Sequence, residues 1–196
     1  MRKWLFIAAV AFLLLFTLSA QAEIHVLDEV YGTIDIPETY PIVITPKNLD
    51  VYATWLENHG KDPEATRNDL ISRGVLLQCW AEDENTCLEI TAVQNDRTIG
   101  IFNVNQQSED MRASYRLSHY PRNEYLAQGY DFSSSSWTKL DGDRFLALKY
   151  VRRDGGEILH KGVMRRTIYN GYELTLDMQV YGRNATDKDN NTLNKV

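Results

Sequence analysis

Three glycine-containing turns dominate the last third of the chain. Asp141-Gly142 and Asn170-Gly171 favour two-residue hairpin turns, and Asp154-Gly155-Gly156 marks a longer turn between them. The segments that these turns separate are rich in β-branched and aromatic residues, which favours strands. The sequence therefore predicts an antiparallel meander of four strands at 131–140, 143–152, 157–169 and 172–182.

The Asn170-Gly171 turn also sets the register of the last two strands and the faces of their side chains. Four apolar residues of the last strand alternate with polar ones, and this face is expected to point inward: Leu174, Leu176, Met178 and Val180. The register places Arg165 among apolar neighbours, opposite Leu176. Arg166 points the other way, where Glu173 and Asp177 are expected to pair with it at the surface.

A buried guanidinium is costly without a partner or a path to water. Arg165 is therefore expected to reach an edge of the sheet or to pair with a carboxylate. A functional alternative is an anion or ligand contact in the concave face, formed by Arg165, Lys161 and Trp137. Trp137 is expected on the inner face with Leu146.

The first half of the chain mixes strands with helices. Two short β-rich runs end at Pro37 and Pro46, and Asp62-Pro63 offers a helix cap followed by a proline in the first turn. Helices are predicted at 48–58, 62–74, 108–118 and 122–128. We expect an α+β fold in one domain at 23–183, an antiparallel sheet with a C-terminal four-strand meander, flanked by helices.

The N-terminal segment 1–22 has the features of a signal peptide. Arg2 and Lys3 precede an apolar run of fifteen residues, and small residues stand at Ala20 and Ala22. The alternative to a cleaved signal peptide is an uncleaved membrane anchor. Because a spanning helix needs about 20 apolar residues, the run is short for an anchor. Cleavage after Ala22 predicts a secreted or extracytoplasmic protein, on the cell surface or in the periplasm, with no membrane insertion after cleavage.

The net negative charge of the chain limits which molecules it can bind. The whole chain carries a formal charge of −6, and the part after residue 22 has 19 basic and 27 acidic residues, a net −8. An acidic surface repels nucleic acid, so no nucleic acid partner is expected.

The two cysteines, Cys79 and Cys87, lie in segments that read as two strands of a hairpin. If Ala81 pairs with Asn85 across the turn, the two sulfurs face each other on one side of the sheet. In an oxidising compartment such a pair is expected to form a disulfide. Free thiols, or a metal or catalytic site, remain alternatives, although no histidine lies close by in sequence.

The chain resembles the PsbP-like family over about residues 30–182. The resemblance lies in the early "TIDIPETYPIV", the two helices and hairpin that follow, and the closing "FLALKYVRRDGGEILHKGVMRRTIYNGYELTLDMQVYG". It implies an antiparallel sheet flanked by helices and a role in docking to other proteins. The family pattern continues with a terminal helix, whereas 184–196 is a polar tail. We expect this tail to be poorly ordered, a start of a truncated helix.

No catalytic motif stands out. The four histidines are scattered, and the serine run at 133–136 and the calcium-loop-like 187–191 are more simply solvated segments. We therefore expect an exported binding or assembly module without catalytic activity, without cofactor or metal, that docks a protein or cell-envelope partner. The alternative is an extracytoplasmic hydrolase acting on cell-wall or polymeric substrate.

Overall fold

A computed structural model describes residues 23–119 and 127–196. The strands are β1 Glu23–Leu27, β2 Gly32–Ile36, β3 Ile42–Ile44, β4 Val75–Trp80, β5 Thr86–Gln94, β6 Tyr130–Leu140, β7 Asp143–Asp154, β8 Glu157–Tyr169 and β9 Tyr172–Val180. The helices are α1 Ala53–Asn58, α2 Pro63–Ser72, α3 Glu109–His119 and α4 Asp187–Leu193. The expected α+β class is confirmed. Two expected segments, the signal peptide at 1–22 and most of the helix at 122–128, lie outside the described residues.

Seven strands form one antiparallel sheet in the order β3-β4-β5-β9-β8-β7-β6, and β1 and β2 form a separate hairpin. The predicted meander is confirmed as β6 to β9. Its last turn closes with Tyr169 opposite Tyr172, so the expected pairs Thr167–Leu174 and Arg165–Leu176 are also present. Asn170 takes the left-handed conformation, φ 50°, that a turn of this type needs.

One side of the sheet, here called the hairpin face, packs against β1, β2 and α4. Its buried core is apolar and takes side chains from six sheet strands: Val43, Leu77, Cys79, Leu88, Ile90, Ala92, Phe145, Val163, Leu176, Met178 and Val180. The β1–β2 hairpin adds Leu27, Ile34 and Ile36, and α4 adds Leu193.

The opposite side, here called the helix face, packs against α1, α2 and α3. Asp62 begins α2 by accepting a hydrogen bond from the Ala65 backbone N–H at 2.7 Å, and Pro63 occupies the first turn, as predicted. The helix ends before Gly74, whose φ is 66°. An added Cβ at Gly74 would lie 2.7 Å from the Ala92 carbonyl oxygen, so glycine is needed there for the close approach of β5.

The cysteine hairpin differs from the prediction by one residue. Trp80 lies opposite Cys87, and the Ala81 N–H donates to the Thr86 carbonyl. A one-residue slip moves a strand's side chains to the other face. Cys79 therefore faces the hairpin side, Cys87 lies in the core of the helix side, and both are buried free thiols. The expected Cys79–Cys87 disulfide is not formed.

The slip comes from the turn between β4 and β5. Glu84 takes a left-handed conformation with φ 56°, and the Asn85 N–H is bound by the Asp83 carboxylate. Asn85 thus belongs to the turn and not to the ladder. The same slip places Trp80 on the helix face, whereas Leu88 lies on the hairpin face.

The tail was also predicted wrongly. Residues 184–196 contain α4, whose N-terminus has a reciprocal capping box between Thr186 and Asp189. Arg183 binds both oxygens of the Asp189 carboxylate at 2.7 Å. Leu193 is fully buried against the hairpin-face core, so this short helix is stabilised by packing and not by its length.

Candidate functional site

Two buried carboxylates face each other at the centre of the helix face. Glu89 on β5 is directly opposite Asp177 on β9, and their exposed fractions are 5% and 6%. Directly opposite residues have Cβ atoms about 5 Å apart, and like charges at such positions repel. Each carboxylate therefore needs its own compensation.

Different partners stabilise the Glu89 and Asp177 carboxylates. Glu89 receives hydrogen bonds at 2.6 and 3.0 Å from the two terminal nitrogens of Arg73, and a third from the Gln78 amide. Among residues 23–119 and 127–196, no cation donates a hydrogen bond to Asp177, although the Arg166 charge acts on it from a distance. The Tyr150 hydroxyl lies 2.8 and 2.9 Å from its two oxygens, and Gln179 donates at 3.3 Å.

Asp177 is accordingly easier to protonate than an ordinary aspartic acid. Burial, followed by the neighbouring Glu89 charge, raises the pKa of Asp177 to about 7, although its hydrogen bonds act in the opposite direction. Tyr150 reaches this carboxylate across Gly162: a Cβ added at Gly162 would lie 2.4 Å from the Tyr150 ring. The absence of a side chain at residue 162 is what lets the phenol lie flat on the sheet.

A second polar group lies at the end of the same face, where α3 meets β9. His119 is 4% exposed, and its Nε2 is 3.0 Å from Glu173. Tyr115 donates to the same carboxylate at 3.1 Å, and Arg166 lies 3.6 Å from it. Despite burial, the His119 hydrogen bond and the Arg166 charge lower the pKa of Glu173 to about 2.

Both ring nitrogens of His119 face oxygen atoms. Its Nδ1 lies 2.8 Å from the Tyr115 carbonyl oxygen, and its Nε2 lies 3.0 Å from the Glu173 carboxylate. The expected pair between Arg166 and Glu173 is present, but it belongs to a largely buried cluster and not to the open surface.

This cluster closes one end of a groove beside α3, here called the α3 groove. It consists of two adjoining cavities of about 400 and 440 Å³. Both cavities are lined by Arg97, Tyr115, Ser118 and Ile168. The first adds mainly polar residues, Asn95, Asp96, Thr98, His119 and Glu173. The second is more apolar and adds Ile101, Val104, Gln107, Met111 and Ser114.

The groove wall opposite α3 is a loop, and hydrogen bonds hold it to the ends of the meander. At the β8–β9 turn, the Gly171 N–H donates to the Ile101 carbonyl, and the Asn170 N–H donates to the Phe102 carbonyl. At the β6–β7 turn, the Asp143 carboxylate accepts from the amides of Asn103 and Asn105. The groove is therefore preformed and does not depend on a ligand for its shape.

One residue that lines the groove, Met111, is 51% exposed. Three exposed apolar residues are next in the chain to lining residues: Ile99 59%, Phe102 55% and Leu117 66%. Exposed apolar clusters that surround a concave site are typical of interaction surfaces.

Ser118, His119 and Glu173 have the spacing of a hydrolytic triad, with successive contacts of 3.0 and 3.0 Å. The orientation does not fit this chemistry. The Ser118 hydroxyl donates to the Tyr115 carbonyl at 2.8 Å, one helical turn back, and His119 directs Nδ1 to the same carbonyl. A nucleophile needs its proton directed at the base, and here neither group is free for that exchange.

The three residues expected to contact a ligand do not converge. Arg165 is 5% exposed on the hairpin face, where its guanidinium donates to the side-chain oxygens of Asn190 and Asn194. These amides of α4 take the place of the expected carboxylate. Lys161 lies on the same face and binds the Asn184 side chain. Trp137 lies on the helix face, opposite Leu146 as expected and with its ring 6.1 Å from that of Tyr115.

The other chemical features singled out in the sequence are structural. The serines at 133–136 belong to the edge strand β6, and 187–191 is helical. Across residues 23–119 and 127–196, no cluster of three or more His, Cys, Asp or Glu side chains could hold a metal ion. In the same residues, no helix is both long and apolar enough to cross a membrane.

Sequence reasoning missed the α3 groove and the Glu89–Asp177 pair. Asp177 alternates with the inward apolar row of β9, so the sequence pattern assigned it to the surface, and this side of the sheet is in fact covered by helices. Nothing in the sequence around Asn95 or Tyr115 marks them as neighbours, because they are far apart along the chain.

The fold defines an α+β protein with one large antiparallel sheet, an accessory hairpin and helices on both sides. The solution structure of cyanobacterial PsbP (CyanoP) from Synechocystis sp. PCC 6803 is similar to it, with a TM-score of 0.49, 11% identity, and coverage of 85% of this chain and 84% of that chain. This likeness concerns the fold alone. No protein-family model and no curated protein matches the sequence.

Proposed function

We propose that the chain is an extracytoplasmic binding module without catalytic activity, and that a segment of a protein partner docks in the α3 groove. The observation that carries the proposal is the preformed groove with an apolar half and an exposed apolar rim. The rim residues Phe102 and Met111 are each more than half exposed. Covering them removes apolar surface from water, which favours association.

Export is supported by the N-terminal apolar run alone. The groove suits a protein segment, because it joins a polar half to an apolar half. The Asn95 amide nitrogen can donate to a peptide carbonyl, and the Ser118 hydroxyl oxygen can accept from a peptide N–H. Ile101, Val104 and Met111 can pack around a side chain.

The test is site-specific crosslinking in an extract of the cell envelope. A photoreactive phenylalanine analogue replaces Met111 in the groove, and in a second protein it replaces Val51, which is 79% exposed and lies outside the groove. We expect one partner protein, identified by mass spectrometry, to crosslink at residue 111 and not at residue 51.

Blocking the groove provides the matched control. Ser114 lines the apolar half, whereas its exposed neighbour Ala113 does not. Ser114→Trp should abolish the crosslink, and Ala113→Trp should retain it. Equal labelling at both positions, or a crosslink that survives Ser114→Trp, would show that the groove is not the docking site.

The spacing of Ser118, His119 and Glu173 favours a second candidate function, a hydrolase. If the chain hydrolyses a cell-wall or polymeric substrate through this group, Ser118→Ala must abolish the activity. The direction of the Ser118 hydroxyl predicts that no such activity is lost. A reproducible hydrolysis that Ser118→Ala removes would reverse the order of the two candidates.

A further inference from the structure

We propose that the α3 groove recognises the free C-terminal carboxylate of a peptide whose last side chain is apolar, with Arg97 as the carboxylate-binding residue. The inference rests on the proposed docking function and names the chemistry of the docked segment.

Arg97 is placed where such a carboxylate would lie. It lines both cavities, so its side chain stands at the junction of the polar and apolar halves. Within residues 23–119 and 127–196 its guanidinium has no hydrogen-bond or ion-pair partner, and the hydrogen bond of the residue is made by its backbone. A guanidinium offers paired N–H donors that match the two oxygens of a carboxylate.

The backbone that carries Arg97 is rigid. The Arg97 N–H donates to the Asn95 side chain at 2.9 Å, and the Thr98 N–H donates to the Asn95 carbonyl at 2.9 Å. The Thr98 hydroxyl accepts from the Asn95 N–H at 3.0 Å, and Thr98 is 1% exposed. Because the turn is already formed, ordering the guanidinium is the main entropic cost of capturing an anion.

The charged groups beside Arg97 are compensated or screened. Glu173 lies in the polar half, where His119 and Arg166 both contact its carboxylate. Asp96 is exposed beside Arg97, where water screens its repulsion. Arg97 is the guanidinium that lines both cavities, so it is the group that an incoming carboxylate would meet at their junction.

The two halves of the groove favour a peptide over an acyl chain as the source of the carboxylate. From the junction, the apolar half takes one side chain between Ile101 and Met111. The polar half offers the Asn95 amide nitrogen and the Ser118 hydroxyl oxygen to the preceding peptide unit. An acyl chain has no polar groups to pair with them and would bring apolar surface against this half.

The experiment uses two defined peptides, N-acetyl-Gly-Gly-Leu with a free carboxylate and the same peptide as its C-terminal amide. Binding to the protein lacking residues 1–22 is followed by amide chemical-shift changes in titrations. We expect the free acid to bind at least about tenfold more tightly, because hydrogen bonds between charged groups are worth about that much. The shifts should fall on residues 95–101 and on α3.

Arg97→Gln should remove the preference for the acid. Arg153→Gln, at an exposed arginine of the β7 strand, should leave it unchanged. Equal affinity for acid and amide, or a preference that survives Arg97→Gln, would overturn the inference. Octanoate serves as a third probe, and tighter binding of octanoate than of the peptide acid would overturn the assignment to a peptide.

The two proposals fail separately. If the peptides show no acid preference but the crosslink at residue 111 persists, docking stands and carboxylate recognition is wrong. If the crosslink is absent as well, the docking function itself is wrong.

Discussion

Asp177→Asn should stabilise the protein at neutral pH and leave its stability near pH 4 almost unchanged. The reason is the buried pair on the helix face, where Asp177 lies opposite Glu89 and, among the described residues, accepts no hydrogen bond from a cation. Asparagine keeps the shape and the hydrogen-bonding capacity of the protonated acid, but it does not ionise.

The magnitude follows from the pKa of Asp177, which rises from 3.8 in the unfolded chain to about 7. A raised pKa means that the native state holds the proton more tightly. The stability from this proton is fully present below pH 3.8 and is lost as the pH rises through about 7. At about 1.4 kcal/mol per pKa unit, the loss is roughly 4 kcal/mol.

The assay is urea unfolding of the wild type and the variant between pH 4 and 8. The free energy of unfolding of Asp177→Asn, minus that of the wild type, should rise by up to roughly 4 kcal/mol across this range. His160, whose pKa is lowered to about 4 mainly by burial, gives stability that is present above pH 6.5 and lost as the pH falls. The pH dependence that His160 contributes has the opposite sign to that of Asp177. It is the same in the wild type and the variant, so it cancels in the difference between them.

Glu173→Gln is the matched control. The lowered pKa of Glu173 gives stability that is present above pH 4.5 and lost as the pH falls through about 2. This variant should therefore be less stable than the wild type between pH 5 and 8, which is the opposite sign to that of Asp177→Asn. The reasoning is refuted if the Asp177→Asn difference is flat from pH 4 to 8.

Two further predictions concern packing. Gly162→Ala should lower the free energy of unfolding by about 1–3 kcal/mol, because the methyl group collides with the Tyr150 ring, whereas Gly32→Ala, with only ordinary contacts, should change it little. Leu193→Ala should cost about 2–5 kcal/mol in the same urea assay, because the side chain is fully buried, and Leu117→Ala, at a 66% exposed residue, serves as its control. A Leu193→Ala protein as stable as the wild type would contradict the packing of α4 on the sheet. A Gly162→Ala protein as stable as the wild type would contradict the close approach of the Tyr150 ring to residue 162.

The structure also separates what local sequence decides from what it leaves open. The meander and its register were predictable because Asn170-Gly171 closes the strands in a two-residue turn, which fixes every pair above it. Helix α2 was predictable from its cap at Asp62. The turn at Glu84 allows more than one closure, so the face of Cys79 was not predictable from the turn residues.

The sequence by itself determined the α+β class, the meander and the capped helix, because each depends on the backbone preferences of neighbouring residues. Only the tertiary structure decided that Asp177 meets Glu89, that Arg97 faces α3, and that α4 packs on the sheet through Leu193. These contacts join residues far apart in the chain. Their free energy comes from burial and charge compensation between elements, which no local pattern of side chains records.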